Sequence, residues 1–249
     1  MKLLALLAFA LALPQEKNQA EETLKRIEEK LAKAETVQAT FRSTFEQQKK
    51  NGEKVSGVLT GTVLLEKGNK ARLELEGKLV QPLEAIVVSD GKLTALADKD
   101  AVNPPPSATS PRLNKDTALF LARLGGVTAV MEAQKNLILA EADRQLEGEG
   151  RKAGTRETDP AKAMRLGAFK TGPATKIDGR DAGAIQFELE EVGKPGKAQV
   201  TLWFDTETLL PIRRRVFDEL KGILIEETFT KFELDAKIDP AKFELPKPK

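Results

Sequence analysis

The sequence predicts an α+β fold: a strongly curved antiparallel β-sheet, a half-barrel, wrapped around an N-terminal helix and a central apolar helix. Three observations carry this expectation. Segment 199–245 holds three runs in which apolar side chains fall on alternate positions, at 200–204, 212–217 and 223–234, with short turns between them. Period-two alternation marks strands, and turns this short make hairpins. The first half of the chain repeats the pattern about five times, and two stretches interrupt it with helical character.

The chain opens MKLLALLAFALALPQ. Lys2 supplies a basic start, residues 3–13 are apolar, and Ala10-Leu11-Ala12 places small residues two apart. This is the pattern of a secretory signal peptide over 1–12, with cleavage after about Ala12 and a periplasmic product. The run is too short for a membrane span of about 20 residues. In 15–34, Ala20, Leu24, Ile27, Leu31 and Ala34 recur at spacings of three and four among Glu and Lys. That spacing gives an amphipathic helix with one apolar stripe.

At Thr36 the period changes. Val37, Ala39, Phe41 and Phe45 take alternate positions of a first strand, and Asn51-Gly52 marks a turn. Strands follow at 55–65, 71–79, 85–88 and 93–97, the last two joined by the turn Ser89-Asp90-Gly91-Lys92. A proline-rich loop runs from Asn103 to Pro111 and is hostile to helix. Asn114 is a good N-cap for the apolar helix 117–124 (TALFLARL), which Gly125-Gly126 ends or kinks, with a further turn at 127–131. Residues 147–182 are rich in Gly, Lys and Thr and read as loop, with short elements at 137–142 and 164–169. A strand at 184–189 leads into the final meander. Eight or nine strands are expected, and 15–249 reads as a single domain.

Absences narrow the chemistry. The 249 residues contain no Cys, His or Tyr. Thiol nucleophiles, the usual zinc ligands and a Ser-His-Asp triad are therefore excluded. Net charge is +2, from 40 Lys+Arg against 38 Asp+Glu, so no basic excess points to nucleic acid. Glu226 and Glu227 are neighbours on a strand and point to opposite faces, which rules them out as an acid–base pair. No catalytic residue, metal site or cofactor is predicted, and the chain reads as a non-enzyme.

Four stretches resemble the LolA family of periplasmic outer-membrane lipoprotein carriers: Thr36-Val37-Gln38-Ala39-Thr40-Phe41, Val87-Val88-Ser89-Asp90-Gly91-Lys92, the apolar segment 116–124, and Ile238-Asp239-Pro240-Ala241-Lys242-Phe243-Glu244. The resemblance implies a single LolA-like domain in which helices form a lid over an apolar cavity. It implies a monomeric carrier that takes lipid or lipoprotein acyl chains between membrane-associated donor and acceptor proteins. A LolA-fold module that senses envelope components or docks on a partner, without shuttling lipid, is the alternative. Lys67 stands nearest to the arginine that latches the lid in that family, and is the implied latch. Phe41, Phe45, Leu119, Phe120, Leu121, Trp203, Phe204, Phe217 and Phe229 are candidates to line the cavity; ordinary core packing fits each of them as well. The run Arg213-Arg214-Arg215 suits contact with anionic lipid or a partner, or a solvated strand face. Alternation sends Arg214 to the side of Ile212 and Val216, where it needs a carboxylate or a sheet edge nearby.

Overall fold

A computed structural model describes residues 4–49, 51–78, 81–97, 106–148, 160–193 and 195–246. Helix α1 spans Leu4–Lys33, followed by strands β1 (Thr36–Gln48), β2 (Lys54–Glu66), β3 (Lys70–Lys78), β4 (Pro82–Asp90), β5 (Leu93–Ala97) and β6 (Ser107–Ala108). Helices α2 (Leu113–Arg123) and α3 (Gly126–Gly148) come next, then a one-turn helix α4 (Pro160–Ala163). Strands β7 (Met164–Ile177), β8 (Arg180–Glu191), β9 (Ala198–Asp205), β10 (Pro211–Asp218) and β11 (Ile223–Leu234) precede a short 3₁₀ turn, Pro240–Phe243.

All strands join one antiparallel sheet in the order β6-β5-β4-β3-β2-β1-β11-β10-β9-β8-β7. Two consecutive meanders thus meet along a single non-sequential seam, β1 against β11, with Phe41 opposite Phe229 and Ser43 opposite Glu227. The sheet is open, with β6 and β7 as its edges. It curls around the helices: α1 packs on β7 and β8, while α3 packs on β1 through β5. One continuous apolar core fills the space, from Leu24 and Ile27 of α1 to Leu121 of α2, Val130 of α3 and Leu202 of β9. Leu121 and Leu202 are fully buried. A buried leucine contributes about 1.5–3 kcal/mol, so the helices are held by many such contacts. On the opposite face the C-terminal segment lays Ile238 and Phe243 over Leu64, a small second core.

The fold class matches the expectation, and several elements differ from it. Residues 164–177 form a 14-residue strand rather than mostly loop. This edge strand pairs only with β8 and carries two register shifts, so it has no clean alternation to read. The segment at 137–142 is the middle of α3, a 23-residue helix that extends well beyond the expected further turn. Ser107 and Ala108, placed in a proline-rich loop, pair with β5; residues 103–105 of that loop lie outside the described residues. Helix α1 begins at Leu4 rather than near Gln15, consistent with the high helix propensity of Leu and Ala. Met1–Leu3 lie outside the described residues. Asn114 is not an N-cap: α2 starts at Leu113 after Arg112. No helix of the described residues is long and apolar enough to cross a membrane.

Candidate functional site: a helical hairpin clamped over the sheet

Helices α2 and α3 form a hairpin whose turn is bolted to the sheet by two buried charges. Arg214 of β10 and Glu227 of β11 are directly opposite in register. They are 1% and 2% exposed, on the helix-covered face. Arg214 donates from Nη1 to the carbonyl of Leu121 at 2.9 Å and from Nη2 to the carbonyl of Ala122 at 2.6 Å. These are the terminal carbonyls of α2, which have no partner within the helix. Glu227 accepts from the N–H of Gly126 at 2.9 and 3.1 Å, from the N–H of Val127 at 3.1 Å and from the hydroxyl of Ser43 at 3.0 Å. The first amides of α3 are likewise orphan donors. The cation therefore sits at the negative end of one helix dipole and the anion at the positive end of the next. The two side chains lie 4.0 Å apart. Each is held by helix ends more than by the other.

Burial pushes the Arg214 guanidinium down to about 10, partly offset by Glu227. Burial pushes the Glu227 carboxyl above its ordinary range; Arg214, the two amides and Ser43 pull the other way. Glycine is required at the turn itself. Gly125 has φ +98°, and a Cβ there would run into the Glu227 carboxylate. A Cβ on Gly126 would run into the ring of Phe41.

Two more ties hold α2. Arg123 pairs with Glu28 of α1 through Nε at 2.7 Å and Nη2 at 3.3 Å, largely out of solvent. At the other end Asn114 donates through Nδ2 to the carbonyls of Glu66 at 2.6 Å and Lys70 at 3.3 Å. Asn69 adds a bond to the Pro111 carbonyl at 3.2 Å. These asparagines join the β2–β3 turn to α2. Lys67, in the same turn, directs its ammonium to Glu35, with both side chains mostly exposed.

A cavity of about 870 Å³ lies along this hairpin. Its walls are parts of α2 and α3, segment 107–112, and the start of β7 with the end of β8. The apolar lining includes Leu113, Phe120, Leu124, Leu137, Met164 and Leu189. Its polar border carries Arg112, Asp116, Glu132, Lys135, Asp143 and Glu191. A smaller hollow of about 330 Å³, bordered by Thr60, Thr62, Glu74 and Glu84, opens on the opposite face of the sheet.

Of the nine residues proposed to line a cavity, Phe120 borders this one. Phe41, Leu121, Phe204 and Phe229 are buried in the core, with Phe41 and Phe229 packed edge to face at 6.2 Å. Phe45 and Leu119 are half-buried outside the lining. Trp203 and Phe217 do not meet the expectation. They alternate with core residues Leu202, Phe204 and Val216, so strand geometry sends them to the outer face. There Arg213 stacks over Trp203 at 5.7 Å, and Phe217 is 37% exposed. Four of the nine candidates thus pack in the core without bordering the cavity, whose lining takes in other core residues such as Ala129, Ala133 and Leu189. The residues missed, Leu124, Leu137, Met164 and Leu189, come from segments read as helix end, short element or strand end. Only Leu137 lies in α3, and an unbroken helix over 126–148 could have pointed to it.

The chain is similar to several solved structures. Along 92% of its length it aligns with MucB at 17% identity and a TM-score of 0.41, spanning 63% of that chain. A putative outer membrane lipoprotein-sorting protein domain from Vibrio parahaemolyticus aligns over 90% of this chain and 97% of its own, at 11% identity and a TM-score of 0.34. A LolA superfamily protein from Nitrosomonas europaea aligns over 91% and 97%, at 10% identity and a TM-score of 0.28. Likeness at this level concerns the fold and brings no function with it. No protein-family model matches the sequence, and no curated protein is similar to it.

Proposed function

We propose that this chain is an exported, non-enzymatic binding protein that holds an acyl chain of a lipid or lipoprotein in the cavity beside the α2–α3 hairpin. The observation that carries the reading is that cavity: about 870 Å³, apolar along its walls and polar at its border. Its size falls within the roughly 300–1,000 Å³ of small-molecule sites. Burying roughly ten methylenes at about 0.8 kcal/mol each offers about 8 kcal/mol. That corresponds to roughly micromolar affinity before the costs of association are subtracted. Such binding shields a chain from water and still releases it. The signal-peptide pattern at 1–12 supports a periplasmic site of action, where membrane-associated donors and acceptors would hand the cargo on. The clamp at Arg214 and Glu227 fixes the hairpin's turn, so opening would occur at the free sides of α2 and α3 rather than at Gly125.

Displacement of a fluorescent acyl probe, together with native mass spectrometry, tests this. The wild type should bind the probe and retain added lipid. Ala133→Trp, which places an indole at a buried cavity-wall position, should weaken binding by about tenfold or more. A chain that binds neither probe nor lipid would overturn the proposal. So would undiminished binding by a folded Ala133→Trp.

A further inference from the structure

The cavity wall contains one polar atom with nothing to bond. Oδ1 of Asp143, on α3, is buried and has no hydrogen-bond partner among the described residues. Asp143 lines the cavity. A buried carboxylate oxygen without a donor is costly, and native structures rarely leave one so. The other charges at the border are occupied. Arg112 donates through Nε and Nη2 to Asp116 at 3.2 and 3.0 Å. Lys135 donates to both oxygens of Glu132 at 3.0 and 2.8 Å. Glu191 has a partner of its own. The border thus carries two bases, each already on an acid, and four acids in all. Among the described residues, both bases of the border are neutralised by acids, while one acceptor oxygen is left over to receive a donor.

From this juxtaposition of an apolar channel and a carboxylate oxygen without a partner, we infer that the cavity selects amphiphiles whose head group is cationic or donates hydrogen bonds, such as a primary alkylammonium or an acylated amine, over fatty-acid carboxylates. The inference rests on the cavity being the ligand site. The methylenes lie along Leu113, Leu124 and Leu137, and the head group's N–H bonds to Asp143 Oδ1. A carboxylate head would face Asp143 with like charge and no compensating base.

Binding of dodecylammonium, dodecanol and dodecanoate to the full chain, each below its micelle-forming concentration at neutral pH, tests the selection by displacement of a neutral acyl probe. The ammonium should bind about tenfold or more tighter than the carboxylate, since hydrogen bonds to charged groups are among the stronger ones. Asp143→Asn should bring that ratio to within about twofold of one, chiefly by weakening the ammonium. Asp143→Ser serves the same purpose if the amide variant fails to fold, with far-ultraviolet circular dichroism as the check. Equal affinity for ammonium and carboxylate in the wild type, or a ratio that survives loss of Asp143, would overturn the selection while leaving the cavity reading intact. Failure of all three amphiphiles to bind would overturn the cavity reading and the selection with it.

Discussion

Replacing Glu227 with alanine tests how the hairpin is fixed to the sheet. The carboxylate is 2% exposed and receives the N–H groups of Gly126 and Val127 and the hydroxyl of Ser43. Its removal orphans three buried donors and leaves Arg214, 1% exposed, without its countercharge. Removing one member of a buried pair costs about 3–5 kcal/mol. One unsatisfied buried donor costs about 1–3 kcal/mol, so the lost helix capping alone could account for most of that range. With a urea slope of about 2–3 kcal/mol per molar for a chain this size, the midpoint should fall by about 1–2 M. Arg214→Met should lose a similar amount, because the α2 carbonyls of Leu121 and Ala122 lose their donor. In the double variant Arg214→Met/Glu227→Leu no lone charge remains, so its loss should be smaller than the sum by about 0.5–3 kcal/mol. A loss under about 1 kcal/mol for Glu227→Ala would refute the clamp.

Three further outcomes follow from the same geometry. Gly125→Ala forces a Cβ into a positive-φ position against Glu227; it should destabilise by at least about 1–2 kcal/mol in chemical denaturation, and a neutral effect would contradict the close approach. Lys67→Ala removes an exposed pair worth at most about 1 kcal/mol and should leave the release rate of an acyl probe within about twofold, whereas Asn114→Ala, which unties α2 from the β2–β3 turn, should cost about 1–2 kcal/mol and speed release; stopped-flow dissociation that ranks them the other way would restore Lys67 as the latch. Because burial holds Glu227 above its ordinary value, the folded chain binds this proton at higher pH than the unfolded chain. Its contribution is then fully present below the unfolded value and is lost as pH rises through the folded one. The stability of the wild type relative to Glu227→Gln should therefore fall as pH rises through that window; a pH-independent difference would reject the shift.

Much of the sheet was legible because its strands carry one buried face. Val200, Leu202 and Phe204 alternate with Thr201 and Trp203, and all three lie in the core. The same rule turned Arg214 inward, away from its two neighbours; of a carboxylate or a sheet edge, it is the carboxylate of Glu227 that lies across the β10–β11 register. Strand β7 was illegible because an edge strand interrupted by Gly167, Gly172 and Pro173 has no uninterrupted pattern. Helix α3 was only partly legible. Apolar residues at 127–131 and 137–140 alternate with the polar stretches 134–136 and 143–145, so no single stripe runs its length. The candidate cavity was hidden for the same reason. It lies where α3, the 107–112 segment and the end of β8 converge, and such convergence is set by tertiary packing rather than by any local period. Aromatic residues drew attention because they are large, yet most of them build the core that closes the sheet on its helices.

NMR of the full chain, read at its methyl groups and aromatic side chains and titrated with a twelve-carbon amphiphile, tests the central claim most directly. Binding in the proposed cavity predicts saturable shifts at the methyls of Leu113, Leu124, Leu137, Leu189 and Met164, with the Trp203 indole unmoved on the outer face. Shifts confined to Trp203, Phe217 and Leu220, or no saturable shift at all, would contradict it.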